Sequence, residues 1–219
     1  MNAEINMNEK FGREMYNTIL QYNLNNILEI GSWDGEGSTT CIVNAMMQLS
    51  GDKKLHCVEI DKNKFDILIQ RFSQIDFVKC FNSSSISYND LLYKDFEDVW
   101  NSPFNKIWSF HSKELVKLWF DQGIDQLKNC TNSFLNDTTE TYDGILIDGS
   151  EFTGYSEYIL IKNKTKILFL DDVHNAFKCY QIYKELKDNS AWELLSECPN
   201  TRNGFAIFKK VGTQKNDFS

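Results

Sequence analysis

Apolar positions along the chain follow two rhythms that take turns. In residues 8–22, Phe11, Met15, Ile19 and Tyr22 recur at spacings of three and four, which is one face of a helix packed beside a sheet. Residues 25–30 form a short apolar run closed by glycine and read as a buried strand, and residues 38–49, rich in Cys, Ile, Val, Ala and Met, read as the helix that follows. The pattern then repeats, with a strand at 55–60, a helix at 62–72 and a strand at 76–81, so the first third of the chain is β-α-β-α-β. Such alternation predicts a parallel sheet with helices on both faces.

Regularity lapses after Asn82 and returns at Tyr142. The stretch between carries the aromatics Trp100, Phe104, Trp108, Phe110, Trp119 and Phe120 and an amphipathic piece at 112–128, and it predicts a helical insertion over about residues 84–140, beside the edge where a substrate would be selected. Strand signals follow at 142–147, 166–170, 192–197 and 204–209, with a helix at 175–188. The last two strands are separated only by the turn 198–203, so they pair antiparallel at the edge of the sheet.

Length and composition narrow the picture. A chain of 219 residues, 42% hydrophobic and 14% aromatic, suits one domain over 1–219 with its core between about 11 and 210. No apolar run approaches the ~20 residues of a membrane span, and the polar start carries no secretory signal, so a cytoplasmic location without membrane attachment is expected. The six cysteines are scattered without a Cys-x-x-Cys pair and read as reduced thiols, with Cys57 and Cys80 inside strands. A net charge of -8 argues against nucleic acid as a partner. Self-association into a homo-oligomer is compatible with such a chain.

Candidate chemistry gathers where strands end. The first strand and its turn read Glu29-Ile30-Gly31-Ser32-Trp33-Asp34-Gly35-Glu36-Gly37-Ser38, with glycines at 31, 35 and 37 that let a ligand approach the backbone ahead of a helix N-terminus. The spacing is E-x-G-x-x-x-G-x-G, not the G-x-G-x-x-G of dinucleotide enzymes. The second strand ends in Glu59 and Asp61; Glu59 is placed to accept hydrogen bonds from ribose hydroxyls, while Asp61 is either a ligand group or the N-cap of the next helix. Asp148, Asp171 and Asp172 stand at the tips of two later parallel strands and converge on one crevice, where like charges are costly unless a cation offsets them.

In these motifs the chain resembles the class I S-adenosylmethionine-dependent methyltransferases over nearly its whole length. The resemblance implies an α/β, Rossmann-like, seven-stranded mostly parallel sheet with an antiparallel last strand. It implies S-adenosylmethionine held by Glu29, Gly31, Ser32, Gly35, Gly37, Ser38, Glu59, Asp61, Ser83 and Asp148, with Ser83 near the adenine. The acids are similar to those of metal-assisted members that methylate catechols, macrolide sugars and polysaccharides. That likeness implies a divalent ion (Mg²⁺, Mn²⁺ or Ca²⁺) on Asp148, Asp171 and Asp172. Where sugar-modifying members often read D-G-S-H, this chain has Asp148-Gly149-Ser150-Glu151, which leaves Glu151 or His174 as the base. His56 reads as packed in its strand.

The expected activity is therefore O-methylation of a small-molecule hydroxyl, on a sugar or nucleotide-linked sugar of surface polysaccharide assembly. The competing expectations are an NAD-dependent oxidoreductase or epimerase, whose glycine spacing is absent, and a non-catalytic scaffold, which has no need of the glycine and acid motifs.

Overall fold

The computed structural model describes residues 5–107 and 110–212. Trp108, one of the aromatics of the insertion, and the first four residues lie outside them. Helix α1 (Lys10–Tyr22) precedes an alternating series: β1 (Asn26–Ile30), α2 (Ser38–Met46), β2 (Lys54–Glu59), α3 (Lys62–Phe72) and β3 (Val78–Asn82). The insertion follows, with a 3₁₀ turn at Tyr88–Asp90 and helices α4 (Phe96–Trp100), α5 (Lys113–Asn129) and α6 (Phe134–Asp137). The chain then forms β4 (Tyr142–Ile147), α7 (Gly154–Ile161), β5 (Thr165–Asp171), α8 (Tyr180–Lys187), β6 (Trp192–Cys198) and β7 (Phe205–Lys210). Among the described residues no helix is long and apolar enough to cross a membrane, and all six cysteines are free thiols.

The strands make one seven-stranded sheet in the order β3-β2-β1-β4-β5-β7-β6. β1 to β5 run parallel; β7 is inserted antiparallel beside β5 and pairs antiparallel with the edge strand β6. Alternate residues of each strand point to opposite faces, and the sheet's two cores follow that parity. Leu28, Ile145, Leu168, Leu170 and Phe208 pack beneath α5, α7 and α8, whereas Ile27, Leu146, Phe169 and Ile207 pack beneath α1, α2 and α3. In α5 the buried set Val116, Phe120, Ile124 and Leu127 keeps helical spacing, and Ser112 caps its start by accepting from the Leu115 N–H.

Two elements depart from the sequence reading. Helix α7 was not foreseen: five of its eight residues are buried, including Glu157, Tyr158 and Ile161, so it has no polar stripe to mark it as a helix. Its existence follows from topology, because joining parallel β4 to β5 needs a crossover. Helix α8 begins at Tyr180, later than the 175 expected, and the residues before it form an irregular loop that crosses the end of the sheet.

Register aligns the strand tips. Ile30 lies opposite both Val58 and Ile147, and Ile147 opposite Leu170. The residues at or just past those positions, Gly31, Glu59, Asp148 and Asp171, therefore share one edge.

Candidate active site

The β1–α2 loop is folded by its glycines. Gly31 has φ +86°, and a Cβ there would lie 2.2 Å from the Asp148 carbonyl oxygen, so only glycine lets the tips of β1 and β4 meet. The Gly31 and Ser32 N–H groups both donate to the Val58 carbonyl, at 3.0 and 3.2 Å, which keeps the loop fastened to β2. Gly35 has φ +78°, and its missing side chain makes room for Phe72 and Leu68 of α3. Gly37 stands at the N-cap of α2. Glu29 was expected among the ligand-binding residues, but strand parity turns it toward the face that α2 covers. It is fully buried, its oxygens accept from Ser38 Oγ and Thr39 Oγ1 at 2.6 Å each, and it does not line the cavity. Burial pushes its carboxyl pKa up, against the pull of those two hydroxyls. Glu29 thus fixes the first turn of α2, and the Ser38 hydroxyl is spent on that bond.

At the tip of β2, Glu59 is 5% exposed, and each of its oxygens accepts a backbone bond, from Trp33 N–H at 2.8 Å and Asp61 N–H at 2.7 Å. Burial raises its pKa and the two backbone donors oppose the rise. Asp61 acts as the N-cap of α3, accepting from the N–H groups of Asn63 and Lys64. Ser83, past the tip of β3, donates to the Asn132 carbonyl at 2.9 Å and so ties the insertion to the sheet edge.

These elements enclose a cavity of about 1390 Å³ lined by Gly31, Ser32, Gly37, Ser38, Glu59, Asp61, Ser83, Asp148 and Glu151, and roofed by Trp119, Gln122, Gly123 and Gln126 of α5. That exceeds the ~300–1,000 Å³ of a usual small-molecule pocket and leaves room for two ligands side by side. The expected site residues thus meet on one wall, save Gly35 and Glu29, which stand behind it, and the members of the β5 set.

Beyond Asp148, the acids of β4 and β5 form a compact group: Asp148, Asp171 and Asp172 each place an oxygen within 4.8 Å of the others. A residue that the sequence did not single out sits among them. Lys178, 8% exposed, places Nζ 2.9 Å from Asp148 Oδ1, 2.7 Å from Asp172 Oδ2 and 3.9 Å from Asp171 Oδ2. Arg202, from the β6–β7 turn, donates through Nη2 to both oxygens of Asp171, at 2.6 and 2.8 Å. Burial alone would lower the Lys178 pKa, but the surrounding carboxylates, Asp148 foremost, hold it well above the ordinary value. Asp171 is pushed up, first by burial and then by the charges of Asp148 and Asp172.

These residues do not fit the divalent ion expected of the acids. Hard cations need free carboxylate oxygens converging at about 2.0–2.6 Å. Here both Asp171 oxygens serve Arg202, and an ammonium occupies the space between the other two acids.

Of the two bases expected, Glu151 lies on the cavity wall and His174 does not. Glu151 Oε1 accepts from the N–H groups of Phe177 and Lys178, and Oε2 has no hydrogen-bond partner among the described residues. Its carboxyl is pushed up to about 7 by burial, with Lys178 pulling the other way. His174 is carried behind the sheet edge, because Asp172 turns left-handed (φ 55°) and the Val173 and His174 N–H groups then bond Gly204 and Asn203. Its ring packs 5.2 Å from that of Tyr183. Burial lowers the His174 pKa. His56 is buried and packed as expected, with Nδ1 3.0 Å from the Tyr142 hydroxyl. His111 packs edge-on against Trp119.

A sheet of this order with β7 inserted antiparallel is a Rossmann-like fold that solved methyltransferases share. Among solved structures, the chain is similar to a methyltransferase from Geobacter sulfurreducens (TM-score 0.58, 11% identity, 94% of this chain and 81% of that one). It is similar also to the O-methyltransferase TomG of Streptomyces achromogenes, involved in tomaymycin synthesis and solved with S-adenosylmethionine (TM-score 0.56, 12% identity, 92% and 79% covered). A third is an O-methyltransferase from Bacillus cereus in complex with S-adenosylhomocysteine (TM-score 0.55, 14% identity, 91% and 80% covered). At these identities the likeness establishes a shared fold. No protein-family model and no curated protein matches the chain.

Proposed function

We propose that this chain is an S-adenosylmethionine-dependent O-methyltransferase acting on a hydroxyl of a small molecule. The observation that carries the reading is Glu59, a buried carboxylate clamped by two backbone N–H groups on the wall of a cavity that begins at the Gly31 turn. A carboxylate so held presents its remaining lone pairs in a fixed direction, which suits the two hydroxyls of a ribose. Solved proteins of this fold hold the methyl donor or its demethylated product.

Methyl transfer is an in-line displacement. The acceptor oxygen's electron pair forms the new C–O bond, the C–S bond breaks, and its pair goes to sulfur, leaving a neutral thioether. Positioning supplies much of the rate. The acceptor proton goes to Glu151, whose carboxyl, pushed up to about 7, is matched to a general base near neutral pH.

The acceptor class is read from α5. Trp119, Gln122, Gly123 and Gln126 share one helix face over the cavity, and an aromatic face flanked by amides suits the C–H faces and hydroxyls of a sugar. A sugar or nucleotide-linked sugar is therefore the proposed acceptor; its place in surface polysaccharide assembly rests on the sequence resemblance alone. The test is transfer of labelled methyl onto a panel of nucleotide sugars and phenols. Labelling of nucleotide sugars is expected. Labelling of phenols alone would overturn the sugar reading, and tight NAD binding without any response to S-adenosylhomocysteine would overturn the methyltransferase reading.

A further inference from the structure

We propose that Lys178 is a built-in counter-ion standing where a divalent cation would sit between the β4 and β5 tips, so that the chain works without a divalent metal and Lys178 positions Asp148 and Glu151. The proposal rests on the methyltransferase reading for its activity arm, though not for its binding arm. Three observations carry it. The first is geometric: one ammonium lies within 4 Å of all three acids, and Asp171 is satisfied separately by Arg202. The cluster therefore already holds two cations of its own, Lys178 and Arg202, before any ion is added.

The second is that Lys178 acts with its backbone as well as its side chain. Its N–H donates to Glu151 Oε1 at 3.2 Å while Nζ holds Asp148. Asp148 and Glu151 both line the cavity, so one residue touches two carboxylates that face the ligands, holding Glu151 together with the Phe177 N–H. Lys178 itself lies behind that wall and is a positioning residue.

The third is that Lys178 is held in place. A Cβ at Gly154 would lie 2.2 Å from the Lys178 carbonyl oxygen, so the start of α7 is packed against its backbone. Phe177 and Cys179 on either side are 3% and 0% exposed. The backbone that carries Lys178 is thus fixed on both sides, which distinguishes it from a lysine on an exposed surface loop.

The experiment is manganous-ion binding to the full chain by electron paramagnetic resonance, alongside methyl transfer in a chelator. The wild type is expected to leave Mn²⁺ free and to keep its rate within about two-fold in the chelator. Lys178→Met removes the ammonium and is expected to bind Mn²⁺, to lose on the order of 100-fold in rate, and to regain about ten-fold with Mn²⁺ or Mg²⁺. Lys178→Arg is expected to exclude Mn²⁺ as the wild type does. Stoichiometric Mn²⁺ binding by the wild type, or a chelator-sensitive rate restored by Mg²⁺, overturns the proposal, and so does a folded Lys178→Met chain that binds no Mn²⁺. The wild-type binding arm stands even where a variant fails to fold. Since it needs no cofactor, absence of S-adenosylhomocysteine binding with this Mn²⁺ pattern intact would remove the methyltransferase reading alone.

Discussion

The two halves of the carboxyl edge are made of different materials. At the tips of β1 and β2 the wall is mostly backbone: a glycine at φ +86°, loop N–H groups bonded to the Val58 carbonyl, and one carboxylate gripped by main-chain donors. At the tips of β4 and β5 it is side-chain charge, three carboxyl groups held by Lys178 and Arg202. The first half depends on main-chain conformation and main-chain donors, and the second on ionised side chains, with Lys178 and Arg202 brought to acids 30 and 31 residues away. A wall of backbone fails where one residue cannot take the required φ, whereas a charge cluster fails as a unit when one member leaves a buried partner unpaired. The same strand carries a control at its other end: Asp143, also buried, pairs with Lys166 and caps the Asn25 and Asn26 N–H groups far from the cavity, so an acid–lysine pair is not in itself a mark of chemistry.

The contrast is broken most severely at Gly31. Gly31→Val combines left-handed strain with a Cβ only 2.2 Å from the Asp148 carbonyl oxygen, and is expected to abolish S-adenosylhomocysteine binding or folding outright. Gly51→Val, at φ +90° with nothing within 4 Å, should cost only the ~1–2 kcal/mol of the backbone conformation, as read by urea denaturation. In the charged half, Glu151→Gln is expected to lower kcat by about 10²–10⁴-fold with cofactor affinity unchanged. A base must be ionised to act, so the wild-type kcat/KM should rise as pH climbs through about 7, and that limb should flatten in the variant. A limb that survives the substitution would assign the proton to another group. Glu59→Gln should weaken S-adenosylhomocysteine by about 10- to 100-fold, from the loss of charged hydrogen bonds, in calorimetry. The smallest effect belongs to Asp61→Ala, about 1 kcal/mol of stability from the lost cap with affinity held within a few-fold. An affinity loss matching that of Glu59 would make Asp61 a ligand group instead.

The same division explains what could be read from the chain alone. The β-α-β-α-β opening, the glycine turn, the place of Glu59 at the tip of β2 and the antiparallel ending were legible because each is written in a few neighbouring residues. Glu29 was misassigned although the clue was present: it shares strand parity with Ile27, on the face that α2 covers. Helix α7 escaped because it is apolar nearly all round, and pattern alone does not separate such a segment from a buried strand. Lys178 lay hidden within a segment whose spacing continued the helix of α8 upstream, and Arg202 in an unremarkable turn. Three clustered acids did demand a cation, but the sequence could not say whether the cation came from solvent or from the chain. His174 turned away for a reason that no spacing encodes, the positive φ of Asp172 and the pairing of the next two residues with the β6–β7 turn.

Calorimetric titration of S-adenosylhomocysteine into the wild type and into Glu59→Gln tests the central claim most directly. One-to-one binding that weakens at least about ten-fold in the variant is the predicted result. Heat that is absent from the wild type, or an affinity indifferent to Glu59, would contradict it.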